Sequence, residues 1–280
     1  SAAADLLSGV HESSGGVDGW VSVEVSPALA HDTEGTIEAA RELSRNLALD
    51  NLYVKVPATA EGIEAIRVLT SEGIPVNVTL IFGLERYADV IEAYLSGLEA
   101  HKGTLSHISS VGSFFISRVD TEVDRRLTEV GTDDALDLLG TAAITQGKLA
   151  YQLAMTAFSG SRWDVLEERG AKLQRPLWAS TSTKNPEYPD TYYVDSLIGP
   201  NTVNTLPEAT LEAFDDHGNL VSTLDASPEA DQKRWEQLGE LVDLDEVSAK
   251  LEAEGVASFA TSFDEVLATL AERVGPSVDG

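Results

Sequence analysis

Six short apolar segments recur between helical stretches, and this alternation limits the chain to a small set of folds. They lie near residues 20, 52, 76, 113, 177 and 202. In "WVSVEVSPAL", Val21, Val23 and Val25 alternate with Ser22, Glu24 and Ser26, and Pro27 closes the strand. "LYVKV" (52–56), "PVNVTLIF" (75–82) and "SFFIS" (113–117) are the next predicted strands, followed by "RPLWASTST" and a shorter one in "NTVNTLP". Between the first two, "TEGTIEAARELSRNLA" sets Ile37, Ala40, Leu43 and Leu47 at helical spacing, with Thr33 or Thr36 as the expected cap. A helix over 60–72 should stop at Gly73. "LERYADVIEAYLSGLEA", "TEVDRRLTEVG" and "DALDLLGTAAITQGKLAYQLAMTAFSG" continue the helical reading, and the chain from about Pro228 is mostly helix. The opening "SAAADLLSGVHESSGG" is the end of a helix running into a Gly/Ser loop.

Strands that alternate with helices in this way call for a parallel sheet, either doubly wound or closed into a barrel. No G-x-G-x-x-G follows the first strand and no G-x-x-x-x-G-K-[ST] occurs, so the nucleotide-binding versions of the doubly wound sheet have no support. Polar residues interrupt the strands at Glu24, Lys55, Asn77, Thr79, Ser113, Ser180 and Asn204. A barrel interior gathers residues from many strands, which an open sheet mostly does not. The expected fold is therefore α/β, a (β/α)8 TIM-barrel type with only six of its eight strands visible, in one domain over 1–280 with extra helices from about 228.

Composition narrows the function. No apolar run approaches the ~18 residues of a membrane span, and no secretory leader is recognisable, so no membrane association and a cytoplasmic location are expected. There is no cysteine, hence no disulfide, thiolate metal site or cysteine nucleophile. The five histidines are not paired at ligand spacing, and no metal and no cofactor are expected. With 47 acidic against 19 basic residues, the surface should repel nucleic acid. It leaves room for a small anionic substrate held by a few clustered cations, and it leaves a homo-oligomer open.

Lys55 is the anomaly. It stands within "LYVKV", sharing a face with Tyr53, while Val54 and Val56 face the other way. A desolvated lysine loses its proton more readily, and the neutral amine attacks ketones to give an iminium that can accept electrons during carbon–carbon cleavage. Glu24, one strand earlier, could move protons directly or through a water, and Thr79 could orient that water. The plainer reading is a snorkelling edge lysine, or one that only pairs with Glu24.

Several longer stretches bear on this choice. "VSVEVSPALAHDTEGTIEAARELS", "NLYVKVPATAEGIEAI", "EGIPVNVTLIFGLERYADVIEAYLSGLE", "SSVGSFFISRVDTEVD", "RPLWASTSTKNP" and "NTVNTLPEAT" together resemble the transaldolases of the longer bacterial type, over residues 17 to 270. The resemblance implies a class I aldolase-like barrel. It implies transfer of a dihydroxyacetone unit from fructose 6-phosphate or sedoheptulose 7-phosphate to an aldose phosphate, in the pentose phosphate pathway of carbohydrate metabolism.

By the same resemblance Lys55 is the Schiff-base lysine, and Glu24 and Thr79 hold the catalytic water. Asn77 bonds the donor's hydroxyls. Ser113 and Arg118 of "SFFISR" belong to the phosphate-binding end, and Phe115 lies beside the bound chain. Ser180 contacts phosphate or a hydroxyl. Where other members have an arginine soon after that serine, this chain reads "STSTKNP", making Lys184 the phosphate candidate. For Arg118 the alternative is ion pairing along a helix face with Asp120, Asp124 and Arg125; for Lys184 it is a solvated loop.

The chain also departs from the family. Transaldolases carry two βα units ahead of the position where this sequence starts, with an acid/base aspartate on the first strand and an asparagine of a T-N-P motif on the second. Neither has a counterpart here, and Asp5 sits in the opening helix. Besides transaldolase, the sequence thus admits a related aldolase with a specialised acceptor, or a degenerate sugar-phosphate-binding homologue.

Overall fold

A computed structural model describes residues 2–224 and 228–274 of the chain. After α1 (Ala2–Ser13) come six strands: β1 (Val21–Glu24), β2 (Leu52–Pro57), β3 (Val76–Ile81), β4 (Ser110–Phe115), β5 (Arg175–Ala179) and β6 (Val203–Asn204). One helix fills each of the first three crossovers: α2 (Thr33–Leu47), α3 (Ala60–Ser71) and α4 (Leu84–Ala100). The fourth holds α5 (Ser117–Val130), α6 (Asp133–Leu136), α7 (Ala142–Ala157) and α8 (Gly160–Glu168). α9 (Tyr192–Ser196) links β5 to β6, and α10 (Glu208–His217), α11 (Pro228–Leu241) and α12 (Leu244–Val274) follow.

The strands pair in parallel and in sequence order, forming a curled half-barrel with β1 and β6 at its edges. Parallel partners share a face, so register decides which residues meet. Glu24 lies level with Lys55, and Lys55 with Asn77. These residues face the inside of the curl. The alternate residues Val54, Val56, Val76, Val78, Phe114 and Trp178 enter the apolar core shared with the helices. Gly112 belongs to that outward set because a Cβ there would come within 2.8 Å of the Tyr87 ring.

Two sequence expectations shift. The fourth strand runs over Ser110–Phe115 rather than 113–117. Its polar start is stable when buried because the Ser110 hydroxyl donates to the Val76 carbonyl and accepts from Gln174 Nε2. Ser117 already begins α5. The cap of α2 is Asp32, whose carboxylate accepts from Gly35 N at 2.9 Å, and Thr33 is the first helical residue. Capping of α3 by Thr59 and the left-handed Gly73 after it conform to ordinary helix punctuation.

Candidate active site

Lys55 reaches across to the Glu24 carboxylate, and the two form an ion pair on the inner face of the half-barrel. Their side chains keep 23 % and 30 % of their exposure, so the pair is partly shielded yet reachable by a small molecule. The ammonium also stands 5.2 Å from the centre of the Phe259 ring, a cation–π distance. Phe259 belongs to α12, which crosses the strand ends on this side and lines the same cavity as Glu24, Lys55, Thr79 and Leu80. Sequence reasoning missed this residue. The available signal was the spacing Leu251, Gly255, Phe259, an inward stripe on a long helix.

Thr79 and Leu80 reach the cavity together because β3 breaks its alternation. The register slips between Val78 and Ile81, and Leu80 adopts φ 60°, a conformation rare outside glycine. The slip turns two successive side chains toward the lysine and returns Ile81 to the helix side, level with Phe114. Backbone held in such a state is frequent where a fold aims side chains for function.

Asn77, beside Lys55, is fixed from two sides. Its Oδ1 accepts from Ser113 Oγ at 2.7 Å, and its Nδ2 donates to Ser22 Oγ at 3.1 Å. Ser22, two residues before Glu24 on the same face, is a further missed member. Asn204, by contrast, is not brought to the lysine. It lies level with the helix-facing Trp178 and accepts from the Thr181 hydroxyl.

Arg118 stacks its guanidinium 5.5 Å from the Phe115 ring. Phe115 in turn touches Phe82 and, at 6.5 Å, Phe259. A line of aromatic contacts thus connects the lysine to the arginine. Among the described residues Arg118 has no carboxylate partner. The helix-face ion pairing with its neighbours does not form: Asp124 accepts from Gly140 N and the Tyr188 hydroxyl, and Arg125 pairs with Glu122 and Glu129. Asp120 turns inward with 1 % exposure, its Oδ1 accepting from Ala143 N at 2.7 Å and its Oδ2 left without a hydrogen-bond partner among the described residues. Burial pushes this carboxyl up to about 7.

Ser180 follows β5 with φ 58°, its hydroxyl 3.0 Å from that of Ser117 at the start of α5. The first turn of α5 has no side-chain cap, but its Ser117 and Val119 N–H groups already donate to the Ser180 and Ile116 carbonyls and Ser117 is fully buried, so this corner offers the Ser180 hydroxyl and one guanidinium. Lys184 lies on the exposed loop beyond, where it donates to Ser182 Oγ and is not drawn into the corner. Among the described residues, no cluster of His, Asp and Glu is placed to hold a metal ion, and no helix is long and apolar enough to cross a membrane.

The sequence matches the family Transaldolase/Fructose-6-phosphate aldolase across residues 1–270. The chain belongs to this family. A transaldolase of Frankia alni is 50% identical, over 98% of this chain and 76% of its own length. Transaldolase 1 of Streptomyces coelicolor is 48% identical, over 100% of this chain and 75% of its own. The transaldolase of Mycolicibacterium smegmatis is 50% identical, over 95% and 73%. The chain thus spans about three quarters of each of these transferases.

Proposed function

We propose that the chain transfers a dihydroxyacetone unit from a ketose phosphate to an aldose phosphate through a Schiff base on Lys55. The observation that carries this reading is the Lys55–Glu24 pair on the inner face, roofed by Phe259 and level with Asn77. An ammonium must shed a proton before it can attack, and the carboxylate in contact with it can receive that proton. The free amine adds to the C2 carbonyl of the donor. The resulting carbinolamine takes a proton back and loses water, leaving an iminium; Thr79 is suited to orient the water. When the C3–C4 bond breaks, its electron pair flows to the iminium nitrogen and gives an enamine, while the C4 hydroxyl passes its proton to the Glu24 carboxylate, directly or through a water, and departs as the aldehyde of an aldose phosphate. Addition of the enamine to a second aldose phosphate, followed by hydrolysis, completes the transfer.

Asn77 is suited to hold the donor's hydroxyls, and the aromatic line through Phe115 leads from the reacting carbon to Arg118. There a guanidinium with no carboxylate partner among the described residues, together with Ser180, supports recognition of the phosphate. Fructose 6-phosphate and sedoheptulose 7-phosphate are the donors this layout favours. A second reading is a sugar-phosphate binder without turnover.

Borohydride reduction with fructose 6-phosphate, followed by mass spectrometry, distinguishes the two. A reduced adduct on the peptide holding Lys55, abolished by Lys55→Ala, is the expected result. No adduct in the native chain would leave only binding. Release of dihydroxyacetone without any acceptor would instead mark a simple aldolase.

A further inference from the structure

Beyond Ser180 the chain runs as a mostly exposed strap, residues 181–191, from β5 to α9. The strap is stitched to itself. The Thr183 hydroxyl reaches the Pro189 and Asp190 carbonyls at 3.1 and 3.2 Å, and Tyr188 N donates to the Asn185 carbonyl. Such cross-links make the segment behave as one piece. Whatever anchors that piece therefore bears on Ser180 at its root.

Two contacts tie it to α5. At the root, the Ser180 carbonyl accepts from Ser117 N at 3.0 Å. Farther on, the Tyr188 hydroxyl donates to Asp124 Oδ2 at 2.8 Å. Two helical turns, about 10 Å, separate Ser117 from Asp124, and Arg118 leaves α5 between them. The second tie has a seat of its own. The Tyr188 ring lies against Gly140, where a Cβ would fall 2.7 Å from Cζ and where φ is 72°, a conformation suited to glycine. Gly140 N donates to Asp124 Oδ1 at 2.8 Å, and its carbonyl accepts from the Tyr192 hydroxyl at 3.0 Å.

Both oxygens of Asp124 are thus engaged, one by an amide and one by a phenol. Asp120 is bound through Oδ1 to Ala143 N, and Glu122 pairs with Arg125 and Arg126. The next three acids after Arg118 on α5 are all held by other donors, which leaves its guanidinium available to an anion. We infer that Tyr188 is a positioning residue for phosphate recognition. Through Asp124 it keeps the strap rooted at Ser180 and the helix carrying Arg118 at one spacing, and so favours phosphorylated over unphosphorylated donors. This inference rests on the reading of the Arg118 corner as the phosphate site.

Titration calorimetry of the 280-residue chain with fructose 6-phosphate tests it. Tyr188→Phe keeps the ring against Gly140 and removes only the hydroxyl; it should weaken Kd about three- to tenfold, the worth of one hydrogen bond. Asp124→Asn should do the same, and the double variant should bind no more weakly than either single one, because both act through one contact. Borohydride trapping of dihydroxyacetone on Lys55, which needs no phosphate site, should proceed at the native rate in each. His217→Gln is the control: it cuts the exposed tie of 2.9 Å between Asp190 of the strap and α10, leaves α5 alone, and should bind as the native chain does. Should Asp124→Asn fail to fold, Tyr188→Phe carries the comparison. A native Kd in Tyr188→Phe, equal weakening by His217→Gln, or trapping slowed as much as binding overturns the proposal and leaves Tyr188 a purely structural role. Absence of saturable binding to the native chain overturns it together with the phosphate corner. If the native chain binds fructose 6-phosphate but gives no adduct on Lys55, the Schiff-base reading fails, and the Kd comparison still decides the role of Tyr188.

Discussion

Asp120→Asn should stabilise the protein, increasingly so as pH rises. The buried carboxyl is displaced upward from 3.8 to about 7, chiefly by burial and then, against the bond from Ala143 N, by the neighbouring Asp124. In the unfolded chain the same group ionises near its ordinary value. Between these two values the native state holds a proton that the unfolded state has released, so the carboxyl's contribution is most favourable below about pH 4 and is lost as pH climbs toward 7. A displacement of about 3 at about 1.4 kcal/mol each gives a ceiling of about 4 kcal/mol by pH 8. Asparagine keeps Oδ1 for Ala143 N and adds no charge. Its amide takes the place of Oδ2, which has no hydrogen-bond partner among the described residues. Urea unfolding followed by circular dichroism at pH 5, 6, 7 and 8 reads the difference between native and variant, in which all other titrating groups cancel. The gap in unfolding free energy should widen steadily from pH 5 to 7 and then level. A gap that stays flat with pH, or a variant that falls behind as pH rises, would refute the assignment of a protonated buried Asp120.

Three further outcomes are expected. Arg118→Ala should raise KM for fructose 6-phosphate by about ten- to a hundredfold, the worth of a charge-assisted contact, and leave unphosphorylated dihydroxyacetone nearly unaffected; equal losses would return Arg118 to a structural role. Phe259→Ala removes the ring 5.2 Å from the Lys55 ammonium and should slow adduct formation about fivefold, while a thermal melt moves only a few degrees. Gly62→Ala should cost about 3 kcal/mol in chemical denaturation, because the added Cβ would sit 2.0 Å from the Pro57 carbonyl oxygen at the end of the lysine strand; a variant as stable as the native chain would show that α3 can retreat from β2.

Much of this molecule was legible in linear order. Strand and helix periods report local burial, so all six strands and the longer helices between the first five could be read before any contact was known, whereas the shorter α8 and α9 were not. Lys55 announced itself by standing in an apolar strand, and Glu24 and Asn77 by occupying matching places in neighbouring ones. Parallel pairing converts those places into contacts, since register sets Glu24, Lys55 and Asn77 at one level. Strand limits were harder: the serines that open β4 look like loop until Val76 and Gln174 are seen to satisfy them.

Other features arise only in three dimensions. The slip in β3 that turns both Thr79 and Leu80 toward the lysine is a left-handed residue with no glycine to mark it, held there by its surroundings. Asn204 carries the right chemistry on the wrong face, a matter of parity at a two-residue strand. The ring over the lysine comes from α12, far along the chain, whose stripe of small and apolar residues is spaced like that of any packed helix. Sequence thus specified which groups the protein owns and the period on which each stretch repeats, because those depend on neighbours a few residues away. Which groups meet, which stay dry and which are left unpartnered depended on packing between distant segments, and packing has no signature within any one of them.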